Sequence, residues 1–220
     1  DATLMLDEMF HGVMTIDVGG ATTDIHSVCD PKGEFLKYHD GEPRFKRTVE
    51  GDLGVYINRL HVINTFKTGE LERLMNLSKD EIIKLATSEP FIPISSQGVK
   101  LFECLTRQCV HQALDRHIGD LKRVFTTNGM KVIPDGKDTT QVKAIFYTGG
   151  ALLHSTQKDS IIYDYLEKSV TKLVPDQSVK IYYDHDYIFA SLGVLAQKYP
   201  SAAKKLLLKS IRYEGEIDVT

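Results

Sequence analysis

At 220 residues, with 42% apolar and 26% charged side chains, the chain can bury a core and has the composition of an ordinary globular protein. A net charge of −3 gives no electrostatic case for nucleic acid or an anionic membrane, and no apolar run approaches the ~20 residues of a bilayer-spanning helix. Cys29, Cys104 and Cys109 are odd in number and lack metal-ligand spacing, so they read as reduced thiols and point to the cytoplasm.

The chain opens Asp1-Ala2-Thr3-Leu4, with neither an initiator methionine nor a signal pattern, as a segment of a longer protein would. Val13–Val18 reads as a strand, Thr23–Cys29 as a second, and Gly33–Tyr38 as a third, reached through the turn Asp30-Pro31-Lys32-Gly33. Phe45–Val49 adds an extended segment. From Val55 the pattern is helical, with Ile57, Leu60 and Ile63 or Asn64 on one face and Gly69 beyond its end. Ser78-Lys79-Asp80-Glu81 is a capping box that opens a second helix. Glu89-Pro90-Phe91-Ile92-Pro93 breaks it, because each proline disfavours a helical residue before it.

A long helix is predicted over Val99–Ile118, with Leu101, Leu105, Cys109 and Ala113 at helical spacing and Gly119 as its cap. Cys104 and Cys109 are then packing residues. Asn128–Thr140 is polar and reads as a surface loop. Val142–Tyr147 is a short apolar strand, Asp159 caps a helix over Ser160–Leu173, and Val179–Tyr183 is another strand. A helix over Tyr187–Lys198 stops before Pro200, and a short helix, Ala202–Leu208, precedes a polar tail. This order predicts an α/β (α+β) fold with one mixed sheet.

Chemistry concentrates in Asp17-Val18-Gly19-Gly20-Ala21-Thr22-Thr23-Asp24. Glycines let backbone N–H groups approach an anion, the threonines add hydroxyl donors, and Asp17 can hold a hydrated divalent cation beside a polyphosphate. A plain hairpin turn with a strand-end aspartate is the simpler alternative. A second turn, Thr148-Gly149-Gly150-Ala151, follows another buried-looking strand 130 residues further on. If both strands lie in one sheet, the turns emerge at one edge and flank one ligand, although a helix cap would also use these glycines. Ala190 and Gly193, three apart on a helix, make a surface for close approach. The histidines, His26 and His185 included, have no zinc spacing and read as structural or exposed. Lys204, Lys205 and Lys209 read as a solvated helix face.

The run from Asp17 to Asp24 resembles the second phosphate motif of the actin/Hsp70/sugar-kinase ATPase superfamily. Tyr147-Thr148-Gly149-Gly150-Ala151 resembles its adenosine motif, and Ala190–Gly193 its second connecting helix. Order and spacing agree over nearly the whole chain. The resemblance implies a ribonuclease H-like lobe that binds ATP or ADP with Mg²⁺ and no covalent cofactor. By resemblance, Asp17 would hold the Mg²⁺ shell through water or orient the attacking water. Gly19, Gly20, Ala21 and Thr22, with Thr23 beside them, would donate to the β- and γ-phosphates, while Asp24 orients the loop or touches the ligand. Gly149, Gly150 and Ala151 would let the adenosine pass over backbone. Glu50, Gly51 and Asp52 match a region near the ribose, although a loop leading into a helix, with acids favoured by its dipole, explains them as well.

Within the superfamily, Val18–Val28 followed by Thr48-Val49-Glu50-Gly51-Asp52-Leu53-Gly54 is most similar to the MutL/GlmL group. These are accessory proteins of adenosylcobalamin-dependent glutamate mutase and related aminomutases, with cobalamin carried by the partner enzyme. The resemblance therefore implies an ATP-dependent reactivating factor, with the lobe of a small-molecule kinase or hydantoinase-type ATPase as the alternative and an actin-like scaffold as a third possibility. Family members begin with another phosphate loop, and nothing like it precedes Asp17. The expectation is one C-terminal nucleotide-binding lobe, missing its N-terminal lobe and inactive alone. Residues 12–50 would carry the phosphate-motif strands, 51–140 a mainly helical insert, 141–200 the adenosine motif and connecting helix, and 201–220 a short helix and tail.

Overall fold

The computed structural model describes residues 1–31, 33–38, 42–127 and 129–215. Helix α1 (Ala2–Phe10) precedes strands β1 (Val13–Val18) and β2 (Thr23–Val28), a 3-10 helix (Gly33–Tyr38) and β3 (Phe45–Glu50). A helical stretch follows: α2 (Arg59–Asn64), α3 (Glu70–Met75), α4 (Lys79–Ser88) and α5 (Ser96–His117). Strands β4 (Asp120–Thr126) and β5 (Gly129–Asp135) form a hairpin. Then come β6 (Ala144–Thr148), α6 (Gly150–His154), α7 (Lys158–Lys168), β7 (Lys180–Tyr183), α8 (Phe189–Ala196) and α9 (Pro200–Ser210).

Five strands form one mixed sheet in the order β3-β2-β1-β6-β7. β2 runs antiparallel to β1 and β3, whereas β6 is parallel to β1 and to β7. Helices cover both faces, which is why β1 and β6 read as near-continuous apolar runs. Met14, Ile16, Val18, Ile25, Ile145 and Tyr147 pack into one core with α5, α6, α7 and the helical stretch. Val13, Val28, Ala144 and Phe146 pack into a second core with α1, α8 and α9. The α/β architecture with a mixed, helix-flanked sheet is the one predicted.

Several elements differ from expectation for definable reasons. Gly33–Tyr38 is a 3-10 helix, not a strand, and Leu36 and Tyr38 stay exposed. The third strand is Phe45–Glu50, which continues the alternation of β2 in register. Residues 129–135 of the predicted loop are a strand. The hairpin is exposed on both faces over most of its length, so no alternation of apolar and polar residues marks it in the sequence. Lys32 of the expected turn, Asn128 of the expected loop and residues 216–220 of the tail lie outside the described residues.

Gly119 does not cap α5. That helix closes at an extended Ile118, and Gly119 instead bonds Lys137 O through its N–H and accepts from Leu173 N. Asp159 does not cap α7, whose N-cap is Gln157; its carboxylate accepts a bond from the Tyr183 hydroxyl. The helix expected from Val55 starts only at Arg59, because the N–H groups of Val55, Tyr56 and Ile57 bond Gly19 O and Gly20 O. Residues 2–10, to which the sequence assigned no element, form α1. Its stripe is only two turns long, and Thr3 hydrogen-bonds Thr15 of β1 to seat it on the sheet.

The capping box at Ser78 is present as predicted, with Ser78 N bonded to Glu81 Oε2 and Glu81 N to Ser78 Oγ. Cys109 is buried in the core and Cys104 half-buried; both, like Cys29, are free thiols. Among the described residues, no helix is long and apolar enough to cross a membrane.

Candidate functional site

The parallel pairing of β1 with β6 sets Asp17 opposite Thr148, so the two glycine turns leave the sheet side by side. The antiparallel pairing of β1 with β2 sets Asp17 opposite Asp24 and Thr15 opposite His26. Residues opposite each other share a face, so Thr15, Asp17, Asp24, His26 and Thr148 look the same way. On β3, Arg47 sits opposite His26 and joins them. Above this face stand α1 and α8, and the space between is a cleft of about 390 Å³ lined by these residues and by Ala2, Phe189, Ala190 and Gly193.

The two glycine motifs meet directly. Gly149 has φ +87°, and a Cβ built on it would lie 2.3 Å from Asp17 Oδ1 and 2.5 Å from Val18 O. The missing side chain is what gives the Asp17 carboxylate its space. A Cβ on Gly150 would have nothing within 4 Å, so this is the open member of the pair. Ala151 is buried in α6.

Among the described residues, no hydrogen bond or ion pair holds the Asp17 carboxylate. Burial pushes its pKa up to about 6, and the like charges of Asp24 and Asp184 add to the rise. Asp184, by contrast, is fully buried and fully bonded. It accepts from Thr148 Oγ1 (2.9 Å), Ser210 Oγ (2.6 Å), Ile188 N (3.1 Å) and Phe189 N (2.9 Å), so it fastens β6, the start of α8 and α9 together. Sequence reasoning missed its role, although an aspartate between a strand and a helix is a recognisable capping signal.

The first glycine turn closes on itself and on its neighbour. Gly19 N bonds Thr22 O at 2.9 Å, so that N–H is already used; the N–H groups of Gly20, Ala21 and Thr22 take no part in this bond. Gly54 packs against this turn. A Cβ there would sit 2.3 Å from the Ala21 carbonyl carbon, so the 53–58 segment lies directly on the turn. Asn58 Nδ2 clamps the two, donating to Ala21 O (2.7 Å) and Gly51 O (2.8 Å). Thr22 Oγ1 donates to Asp24 Oδ2 at 3.2 Å, and Arg47 binds Asp24 Oδ1 at 3.1 Å. With Arg47 56% exposed, that ion pair is worth only about 0.2–1 kcal/mol.

Other predicted site residues are placed elsewhere. Thr23 points into the core, where its hydroxyl donates to Leu53 O at 2.7 Å. Glu50 and Asp52 are both held by Arg116, and Asp52 also meets His61. The Arg116 hydrogen bonds pull the Asp52 pKa down to about 2. Gly51 is open on its Cα side. Of the predicted site residues the cleft therefore gathers Asp17 with Asp24; Gly19, Gly20, Ala21, Thr22, Gly149, Gly150 and Ala151 of the two turns, like Glu50, Gly51 and Asp52, do not line it. His117 is structural: it lies buried between Ser27 (2.8 Å) and Thr48 (2.7 Å), and burial pushes its pKa down to about 3. Among the described residues, no three His, Cys, Asp or Glu side chains cluster as a metal cage.

The family model and the curated relative agree on the family. Residues 2–211 match the family model described as MutL protein. The chain is 30% identical over 212 residues to Protein MutL of Clostridium tetanomorphum, covering 90% of this chain and 44% of that protein. It thus spans less than half the length of this curated relative. Among solved structures, a ParM described as a non-polymerisable quadruple mutant aligns over 84% of this chain and 46% of its own, at 16% identity and a TM-score of 0.37. With a family model spanning nearly its whole length and a relative matched across nine-tenths of it, the chain belongs to the MutL family.

Proposed function

We propose that this chain is the nucleotide-binding part of an ATP-dependent accessory factor that reactivates an adenosylcobalamin-dependent mutase such as glutamate mutase. The observation that carries the nucleotide reading is the meeting of Asp17, which lines the cleft, with Gly149 at the ends of β1 and β6. Family membership supports the mutase as partner, with cobalamin residing on that enzyme and the N-terminal lobe supplied outside this stretch of chain.

The residues present fit Mg²⁺ bound through water. Asp17 is partly buried, unpaired and crowded by two further carboxylates, so a cation would relieve the repulsion that raises its pKa. Mg²⁺ keeps several waters and needs only one or two protein carboxylates, which suits the lack of a cage. Bound there, the metal would neutralise phosphate charge. Asp17 would orient its water shell, the N–H groups of Gly20 and Ala21 would face phosphate oxygens, and the open Cα of Gly150 would leave room for the nucleoside. Thr23, Glu50 and Asp52 have no place in this scheme while their polar groups bind Leu53 and Arg116. Lobe closure and opening would then be coupled to loosening of the mutase's cofactor site.

The test is rescue. A mutase inactivated by damaged cobalamin should recover turnover with the full-length protein, Mg-ATP and fresh adenosylcobalamin, and not with the Asp17→Asn variant. Robust phosphorylation of a small molecule with no mutase present would instead establish the kinase alternative.

A further inference from the structure

The cleft around Asp17 is short of positive charge for the ligand assigned to it. Its lining carries the carboxylates of Asp1, Asp17 and Asp24, and among the described residues that line it Arg47 is the one permanent cation. The charged form of His26 is disfavoured, since burial and the adjacent Arg47 both push its pKa down. A polyphosphate entering this space needs a cationic partner beyond any metal, and a guanidinium serves best because its planar fork grips two oxygens at once.

Arg47 is placed to move. It stands on the edge strand β3 and is half exposed. It holds a single oxygen of Asp24 through one nitrogen, at 3.1 Å. Water screens that single bond, whereas a phosphate group would take the fork in two bonds. The other Asp24 oxygen receives the Thr22 hydroxyl at 3.2 Å, so the parked arginine is tied to the glycine turn itself. We propose that Arg47 is the phosphate-binding cation of this cleft, held on Asp24 when the cleft is empty and transferred to the terminal phosphates of a bound nucleotide. The proposal rests on the nucleotide reading above. It gives Asp24 the task of storing the guanidinium, and capture of phosphate would release both Asp24 and the Thr22 hydroxyl beside the turn.

Calorimetric titration of the full-length protein with Mg-ATP and, separately, with AMP tests this. Arg47→Gln should weaken Mg-ATP binding roughly tenfold and change AMP binding by less than about twofold, since only the terminal phosphates lose a partner. Arg47→Lys should fall between, because lysine keeps the charge and loses the fork. Asp24→Asn, which removes the storage site, should keep or tighten Mg-ATP affinity. An Arg47→Gln variant that binds Mg-ATP as the wild type does, or that weakens ATP and AMP equally, would overturn the role of Arg47 while leaving the nucleotide reading intact. A wild-type protein that binds neither nucleotide would overturn both.

Discussion

Asp17 is the residue with the most unfavourable surroundings for its charged form, and this has a measurable sign. A carboxylate whose folded pKa is raised binds protons in the native state that the unfolded state has already lost. Its contribution is therefore full below the unfolded value near 3.8 and is lost as pH rises through about 6. In metal-free buffer, Asp17→Asn should stabilise the fold at pH 7.5 by up to about 2 kcal/mol, and the advantage should vanish near pH 4. Thermal melts at the two pH values check it; a variant less stable than wild type at pH 7.5 would show that the carboxylate has a stabilising partner. Gly149→Ala makes the opposite prediction. Its Cβ would collide with Asp17 and Val18 at a positive φ, so a loss of about 2–4 kcal/mol is expected by denaturant unfolding. An alanine tolerated within 0.5 kcal/mol would mean that β1 and β6 separate more freely than their pairing implies.

At the scale of elements, local signals and tertiary placement divide cleanly. The capping box at Ser78 was legible because its four residues carry the whole interaction between them. Ser78→Ala should cost about 1 kcal/mol in urea unfolding, with Ser78→Gly costing only a few tenths. Equal losses for the two would exclude a side-chain cap. The β4–β5 hairpin shows the reverse case. Its exposure on both faces leaves no period in the sequence, and an isolated two-stranded hairpin is marginal in water. Its ladder amides should therefore exchange hydrogen faster than those of β1 or β6, which lie in the middle of the five-stranded sheet. Protection matching that of the central strands would show that the hairpin unfolds only with the whole. Gly119 and Asp159 do not act as the caps expected of them because each has another use, in a long-range backbone bond and in a bond to Tyr183.

For the whole molecule, the proposed cleft has one side supplied here, with Asp17, Asp24, Thr148 and Arg47 in its lining and the two glycine turns following the strands that carry Asp17 and Thr148. Catalysis by positioning needs the reacting groups held from both sides, so this chain alone should hydrolyse ATP negligibly and bind it only at high micromolar to millimolar concentration, about −4 to −6 kcal/mol. Steady-state phosphate release and calorimetry check both, and nanomolar affinity would mean that this chain forms a complete site by itself. The amino-acid sequence by itself determined the glycine turns, the α5 stripe, the proline breaks and the capping box. Each is written in backbone preference or periodicity within a few residues, and the family resemblance rests on the same short runs. Only the tertiary structure decided that β6 lies beside β1, that Gly149 must lack a side chain because Asp17 fills its place, and that Arg47 looks into the same cleft. It also decided that Thr23 turns inward and that Glu50 and Asp52 serve Arg116. The physical reason is register: a side chain's face is set by the strand it pairs with, a shift of one residue reverses it, and that partner lies far away along the chain.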